Sequence, residues 1–441
     1  MIDQALGNRP ASQPTPDIIV TYVNLPQPDA PTSAALAPLT PEAVSAGATP
    51  TAPATATPTS SACPAPADPT PPTRPDRFAD IASALIPYLS AGATPTAVHD
   101  LLMAWGVILS TPDSSTTLGG VYQGRFLRAD EPGTVIAIFD PSAQTSSLRA
   151  GDVAVYVCTE RAMQLAYQAL ADPQFGGAVG YPRVLSTADV TGDGLDEVSF
   201  ISGECGVSTC FDIAIILSFG DGHLRNIISD LSPHPFPAFT FAQAETGQAQ
   251  DLWVQVGQYG SLAAGPQRGA REKWSWNGSV FTLTETILDE PVYRLHALHD
   301  ADTALRSGDF TTAGALYRRV AGDPQLRAWE GPAPLRDEAE ILGAFALYRL
   351  VELAARKQDA AGLSEAYEAL QRATPKGSPS ELYGALGNVF YSAYQASGSY
   401  AQACNAAIQF AEKNPNVYIL LGSQTFGYAN YDYLPADMCA R

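Results

Sequence analysis

"ADVTGDGLDEVSFISGECGVSTCFDIAIILSFGDGHL" (188–224) sets an acidic, glycine-rich turn before two apolar runs joined by a loop with cysteine at each end. In "EVSFISG" (197–203) and "FDIAIILSF" (211–219) β-branched and aromatic residues dominate and the pattern repeats every two residues, the period of a strand. "SFGDGHL" then places Asp-Gly between strands, the dipeptide best suited to a two-residue hairpin turn. The stretch therefore reads as antiparallel β-structure, and its acidic turn raises the question of a bound ion.

The same period extends outward from about 117 to 288. "GVYQGRFLRA", "TVIAIFD", "DVAVYVC", "HLRNIIS", "DLWVQVG", "EKWSWN" and "SVFTLTE" are short runs divided by Gly, Asp, Asn or Pro, and "SWNGSVF" sets Asn-Gly in a second hairpin. Residues 159–172, "TERAMQLAYQALAD", fit a helix or a strand pair equally well. The plan of the opening stretch is echoed at "FTFAQAETGQAQDLWVQVG…EKWSWNGSVFTLTE" and more faintly at "VYQGRFLRADEPGTVIAIFD…AGDVAVYVC". Units of this kind stack on their neighbours, and two or three are too few to close a propeller, so the expectation is a compact, open antiparallel β-domain over 111–290.

Before it, "DRFADIASALIPYLS" and "TAVHDLLMAWGVIL" carry apolar residues at helical spacing and predict helices over 77–90 and 95–109, with Thr94 as cap of the second, in a short helical segment at 76–110. Residues 1–75 differ in kind. They hold 17 of the 36 prolines and one aromatic residue, Tyr22, too little apolar surface to offset the entropy of ordering the chain. They read as a disordered tether in which "DIIVTYVNL" (17–25) is the one strand-like run. A net charge of −20 without a basic stripe excludes nucleic acid as a partner. No apolar run is long enough to span a bilayer.

From about 291 to 441 the helical period returns. The stretches 298–324, 345–375 and 385–415 each read as a helical hairpin ending in proline, and the first and third turn at "SGDF" and "SGSY". Gly308, Phe310, Ala313 and Pro324, and again Gly398, Tyr400, Ala403 and Pro415, resemble the Gly–aromatic–Ala–Pro pattern of tetratricopeptide repeats. The middle copy departs from it, with Gln358-Asp359 in place of Gly and no aromatic following, and the proline spacings of 51 and 40 are longer than the family's unit. This resemblance implies a superhelix with a concave groove for a peptide or protein partner. The fold class is thus α+β, a small open β-repeat domain followed by an all-α tetratricopeptide-like domain.

"DVTGDGLDE" (189–197) is similar to the "DxDxDGxxD" turn of FG-GAP/VCBS extracellular repeats, with Thr191 in the second acidic position and Glu197 in the last. Calcium takes six to eight oxygens, which a short loop supplies from alternate positions. The candidate donors are the side chains of Asp189, Thr191, Asp193 and Glu197 and the carbonyl of Leu195, around one structural Ca2+. The alternative is a solvent-facing Asp-Gly turn without metal. The whole arrangement is also similar to exported bacterial envelope proteins, often lipid-anchored. That resemblance and the proline-threonine tether together point to an extracellular or cell-surface setting, with membrane contact only through an N-terminal lipid anchor removed from this chain.

Six cysteines allow 15 pairings. Cys205 and Cys210 are close enough to pin one hairpin, and Cys439 is placed to tie the tail back to Cys404 in a helix, which leaves Cys63 and Cys158 paired or free. "CGVSTC" as a zinc half-site lacks a second pair of ligands. His296 and His299 in "HALHD" fit a hydrogen-bonded domain junction better than a metal site, and "NGS" (277–279) fits turn geometry better than glycosylation.

No GxSxG elbow, phosphate loop or dinucleotide fingerprint occurs. The expected function is a non-catalytic envelope protein that binds a protein or peptide through its helical domain; a groove filled by the chain's own side chains would argue against that. The rivals are a structural or glycan-contacting role, which an exposed row of Trp253, Trp274 and Trp276 would favour, and a hydrolase needing two carboxylates across a cleft.

Overall fold

Alternation of apolar side chains yields three antiparallel sheets, one for the opening stretch and one for each of its two echoes. The first runs β1 (Gly120–Arg128), β2 (Glu131–Gln144), β3 (Arg149–Thr159), β4 (Ala162–Gln168), with β5 (Val179–Gly180) beside β3. The second holds β6 (Arg183–Ala188), β7 (Glu197–Cys205) and β8 (Cys210–Gly220), and β9 (His223–Asn226) and β10 (His234–Pro235) both pair with β8. The third is a meander of β11 (Ala238–Gln243), β12 (Gln250–Val256), β13 (Ala270–Trp276) and β14 (Phe281–Leu288). This computed structural model describes residues 63–439 apart from 64, 109–118, 145–148, 176–178, 181, 229 and 333. Residues 1–62, with the strand-like 17–25, lie outside the described residues.

Period two sends neighbouring residues to opposite faces, and in the first two sheets both faces are covered. Val135, Ala137, Val153, Val155 and Val157 of the first sheet meet Val198, Phe200, Ile215 and Leu217 of the second. Their neighbours Ile136, Ile138, Ala154, Tyr156 and Cys158 point the other way, onto α1 (Ile81–Ala84), α2 (Ile86–Ser90) and α3 (Pro95–Ala104). Ala214 and Ile216 on the far face of the second sheet pack with Leu252, Val254, Trp274 and Phe281 of the third. Each fully buried large apolar side chain contributes roughly 1.5–3 kcal/mol.

The helical segment and the sheets therefore share one core. Tyr156 Oη donates to Ala82 O at 2.8 Å, and Cys63 is bonded to Cys158 of β3. Ser61–Arg441 groups as one compact unit, so the boundaries drawn at 75, 110 and 290 separate layers rather than independent bodies. The described body reaches back past the expected start at 76, because Cys63 is covalently held and Ala67 bridges to Ala93.

Local chemistry shifts several element ends. Thr94 caps α3 as expected, its hydroxyl accepting from Ala97 N–H. The helix ends at Ala104 rather than 109, because Gly106 takes φ +69° and Val107 N–H bonds back to Leu102 O. The ambiguous 159–172 run resolves as strand β4 followed by a short 3₁₀ turn at Ala169–Ala171.

The helical part forms three hairpins: α4 (Arg294–Arg306) with α5 (Phe310–Gly322), α6 (Glu338–Arg356) with α7 (Ala360–Ala373), and α8 (Glu381–Ser397) with α9 (Tyr400–Lys413). Each turns through one left-handed residue, Gly308, Gln358 or Gly398, and restarts on a capping side chain. Asp309, Asp359 and Ser399 accept from the N–H of Thr312, Gly362 and Gln402. Two short helices, α10 (Asn416–Ile419) and α11 (Ser423–Phe426), then lead to a tail that carries Cys439.

The tail returns to the β-body at two glycines. Gly265 (φ +87°) and Gly427 (φ +96°) lie so close that a Cβ on either would overlap the other segment's backbone, Phe426 O in one case and Ala263 O in the other. Tyr428 N–H and Ala429 N–H donate to Ala263 O and Ala264 O across this contact. Gly427→Ala is expected to lower stability by about 1–3 kcal/mol through the left-handed backbone alone, and by more through the overlap; thermal unfolding at pH 7 with an unchanged midpoint would refute this packing.

Candidate functional site

The acidic turn sits between β6 and β7 and is folded onto its own amides. Asp189 Oδ1 accepts from Gly192 N–H (2.6 Å) and Asp193 N–H (3.2 Å), and its Oδ2 from Gly194 N–H (2.8 Å). Asp193 Oδ1 accepts from Leu195 N–H at 2.8 Å. Glu197 is buried; Oε2 takes Val190 and Thr191 N–H at 2.9 and 3.1 Å, and Oε1 takes the hydroxyls of Thr191 and Ser218 at 3.3 and 3.1 Å. Burial pushes its carboxyl up to about 7, against those same hydrogen bonds.

The turn also bridges the three sheets. Asp196 accepts from Arg125 N–H at 2.7 Å, and its own N–H donates to Arg125 O in the first sheet. Gly192 packs on the Gln248–Ala249 backbone, and Gln250 bonds Asp189 O and Val190 O from the third. Thr191 and Glu197 are turned to each other, and among the described residues the oxygens of Asp189, Asp193 and Glu197 form no mutually close cluster. Glu197→Gln, which can keep all four bonds, is expected to leave the melting midpoint near the parent's, and a calcium chelator to leave both proteins unmoved. Glu197→Ala strands two buried N–H groups and should cost at least about 2 kcal/mol. A chelator-dependent drop in the parent, absent from Glu197→Gln, would instead make this turn a cation site.

All six cysteines are paired: Cys205–Cys210 and Cys404–Cys439 as expected, and Cys63–Cys158. The first of these spans the tip of the β7–β8 hairpin and holds Val207 fully in solvent. Glu352 lies beside Cys404 and Cys439, but sulfurs joined to each other present no thiolate to a metal.

His296 hydrogen-bonds across a junction, as the sequence suggested, whereas His299 Nε2 is buried without a hydrogen-bond partner among the described residues. His296 Nε2 faces Pro266 O at 3.3 Å, and Arg268 is paired with Asp300. Burial pulls His296 down to about 4 and His299 down to about 3, with neighbouring positive groups adding to it. The unfolded chain therefore takes up these protons first. The stability carried by the neutral rings is complete above pH 6.5 and is lost as pH falls towards the folded values. Glu338, raised to about 7 by burial, works in the opposite sense, its contribution being lost as pH rises from 4.5 through that value. His299→Phe should accordingly lose less of its melting midpoint than the parent between pH 7 and pH 5, Glu338 being common to both; an equal fall would show that His299 is not held neutral.

The inner face of α4 and α6 is filled by residues 431–439. The rings of His299 and Tyr431 lie 4.5 Å apart, Tyr433 Oη donates to Asp302 Oδ2 at 2.8 Å, and Tyr348 Oη donates to Met438 O at 2.5 Å. Beneath this tail Arg349 is wholly buried. Its Nε lies 3.2 Å from Asp302, Nη1 lies 2.7 Å from Glu352, and Nη2 donates to Asp437 O at 2.6 Å. Burial alone would weaken the guanidinium's hold on its proton; Asp302 and Glu352 overcome this and raise its pKa. These two carboxylates are bridged by Arg349 and closed off by the tail, rather than set across a cleft.

No tryptophan row forms. Trp274 and Trp276 pack towards the second sheet, whereas Trp253 lies on the opposite face with Arg271 and Lys273 each 5.8 Å from its ring centre.

Exposed apolar side chains collect instead where the β-body meets the tail. Phe211, Tyr259 and Tyr428 make a chain of edge-to-face rings with centroids 5.7 and 5.5 Å apart. Gly260 N–H donates to Thr209 Oγ1 and Phe236 N–H to Cys210 O, which draws these loops to the Cys205–Cys210 hairpin. Val207, Phe236 (47 % exposed), Leu262 (76 %) and Tyr428 (56 %), on these loops and the segment that meets them, are left in water. They come from four separate stretches, and only Val207, an apolar residue inside a cysteine-bounded loop, stands out in the sequence. No family model, curated protein or solved structure matches this chain.

Proposed function

We propose that the chain is a non-catalytic, exported envelope protein that binds a protein partner at the seam between its β-body and C-terminal segment. The observation that carries this reading is the cluster of Val207, Phe236, Leu262 and Tyr428 around the Phe211–Tyr259–Tyr428 rings. Apolar side chains left exposed on adjoining loops are costly unless something covers them, and aromatic residues with a wet hydroxyl are favoured at contacts. The helical groove is a poorer candidate, because residues 431–439 already fill it under the Cys404–Cys439 bond. Tyr428 brings the C-terminal segment into the contact.

The setting and ancestry belong to the same proposal. Full pairing of the cysteines favours an oxidising compartment. An FG-GAP/VCBS-like origin of the β-body is supported by three successive antiparallel sheets of five, five and four strands, and a tetratricopeptide-like origin of the helices by the repeated turn of a left-handed residue followed by a cap. Calcium forms no part of the proposal.

The test compares the parent with Leu262→Asp/Tyr428→Asp, both immobilised and exposed to envelope extract with and without chelator. Species held by the parent and lost by the variant, with circular dichroism unchanged, would support the seam. Identical species on both would remove it.

A further inference from the structure

The third sheet ends at β14 with one edge unused. β14 pairs with β13 over Phe281–Leu288, and on its other edge only Phe281 has a backbone partner, its N–H donating to Ile227 O at 2.7 Å. Among the described residues no backbone group bonds 282–288 along that edge. An open edge of this length is a template for another strand, and soluble proteins usually cover it or blunt it with charge. The opposite edge, β11, has six residues, none of them charged.

The side chains state what kind of strand would fit. Leu283 (47 % exposed) and Leu288 (39 %) present apolar surface beside the free backbone. Glu285 stands opposite Lys273 in the ladder, yet the Lys273 ammonium is paired with Asp251 at 3.2 Å. Glu285 thus has no ion pair among the described residues, and two exposed acidic residues follow it, Asp289 and Glu290, the latter 3.9 Å from Arg319. Like charge directly opposite in a ladder destabilises pairing, and opposite charge supports it.

We propose that the free edge of β14 accepts an extended segment of a partner protein, with a lysine or arginine set opposite Glu285 and apolar side chains beside Leu283 and Leu288. The main-chain ladder supplies the attachment and the alternating side chains supply the choice of partner. This surface is separate from the seam and does not depend on it. The bulge at Thr284, where the β13–β14 register shifts, divides the edge into two short runs and suits a reversible contact.

The probe is an octapeptide of alternating lysine and valine, with its glutamate–valine counterpart as control, added to the full chain. Hydrogen exchange followed by mass spectrometry reads the amides of 281–290. The lysine peptide is expected to slow exchange there at least tenfold and the glutamate peptide to leave it unchanged, while Glu285→Lys, melting as the parent does, reverses the preference. Absence of protection in 281–290 with either peptide would overturn the proposal. So would equal protection by the lysine peptide in parent and Glu285→Lys, or protection spread over other acidic segments, since both mean non-specific charge attraction.

Discussion

The second sheet has almost no face in water, and the rest of the β-body is arranged to satisfy that constraint. Val198, Phe200, Ile215 and Leu217 need one apolar partner layer, while Ala214 and Ile216 on the reverse need another. The first and third sheets meet these needs, and each then has its own second face to cover. For the first sheet the cover is α1, α2 and α3, clamped by Cys63–Cys158. The third sheet lies at the end of the stack and keeps the free edges. Where the molecule has apolar or hydrogen-bonding capacity to spare thus follows from where the stacking stops.

The acidic turn belongs to the same logic. Stacked sheets joined only by non-directional burial can slide, whereas hydrogen bonds fix their offset. Asp196 reaches the first sheet through Arg125, and the Gly192 and Asp189–Val190 backbone reaches the third. Asp189, Asp193 and Glu197 act here as acceptors for N–H groups, chemistry that a carboxylate performs with or without an ion.

The helical part is locked in another way. Arg349, Asp302 and Glu352 bring three charges into the interior, where only full pairing offsets their desolvation. The tail completes that pairing with the Asp437 carbonyl and the Tyr433 hydroxyl, so groove and tail behave as one unit. A surface for a partner is then left at the seam and the sheet edge rather than inside the helices.

Element type was legible wherever the local pattern was strong. Period two over 197–219, Asp-Gly at 221–222 and the Thr94 cap depend on neighbours within a few residues, and so did the Cys205–Cys210 pair. The 159–172 run was ambiguous because its turn, Glu160-Arg161, adopts left-handed backbone at both residues without the glycine or asparagine that normally marks it. What only the tertiary structure decided were contacts between distant segments: Cys63 with Cys158, Asp302 with Arg349 and Tyr433, Gly265 against Gly427, and the meeting of Val207, Phe236, Leu262 and Tyr428. The direction of Glu197 belongs with them. An acidic residue at that spacing can face outward or inward, and the packing of β8, which brings Ser218 beside it, holds Glu197 inward as a buried acceptor.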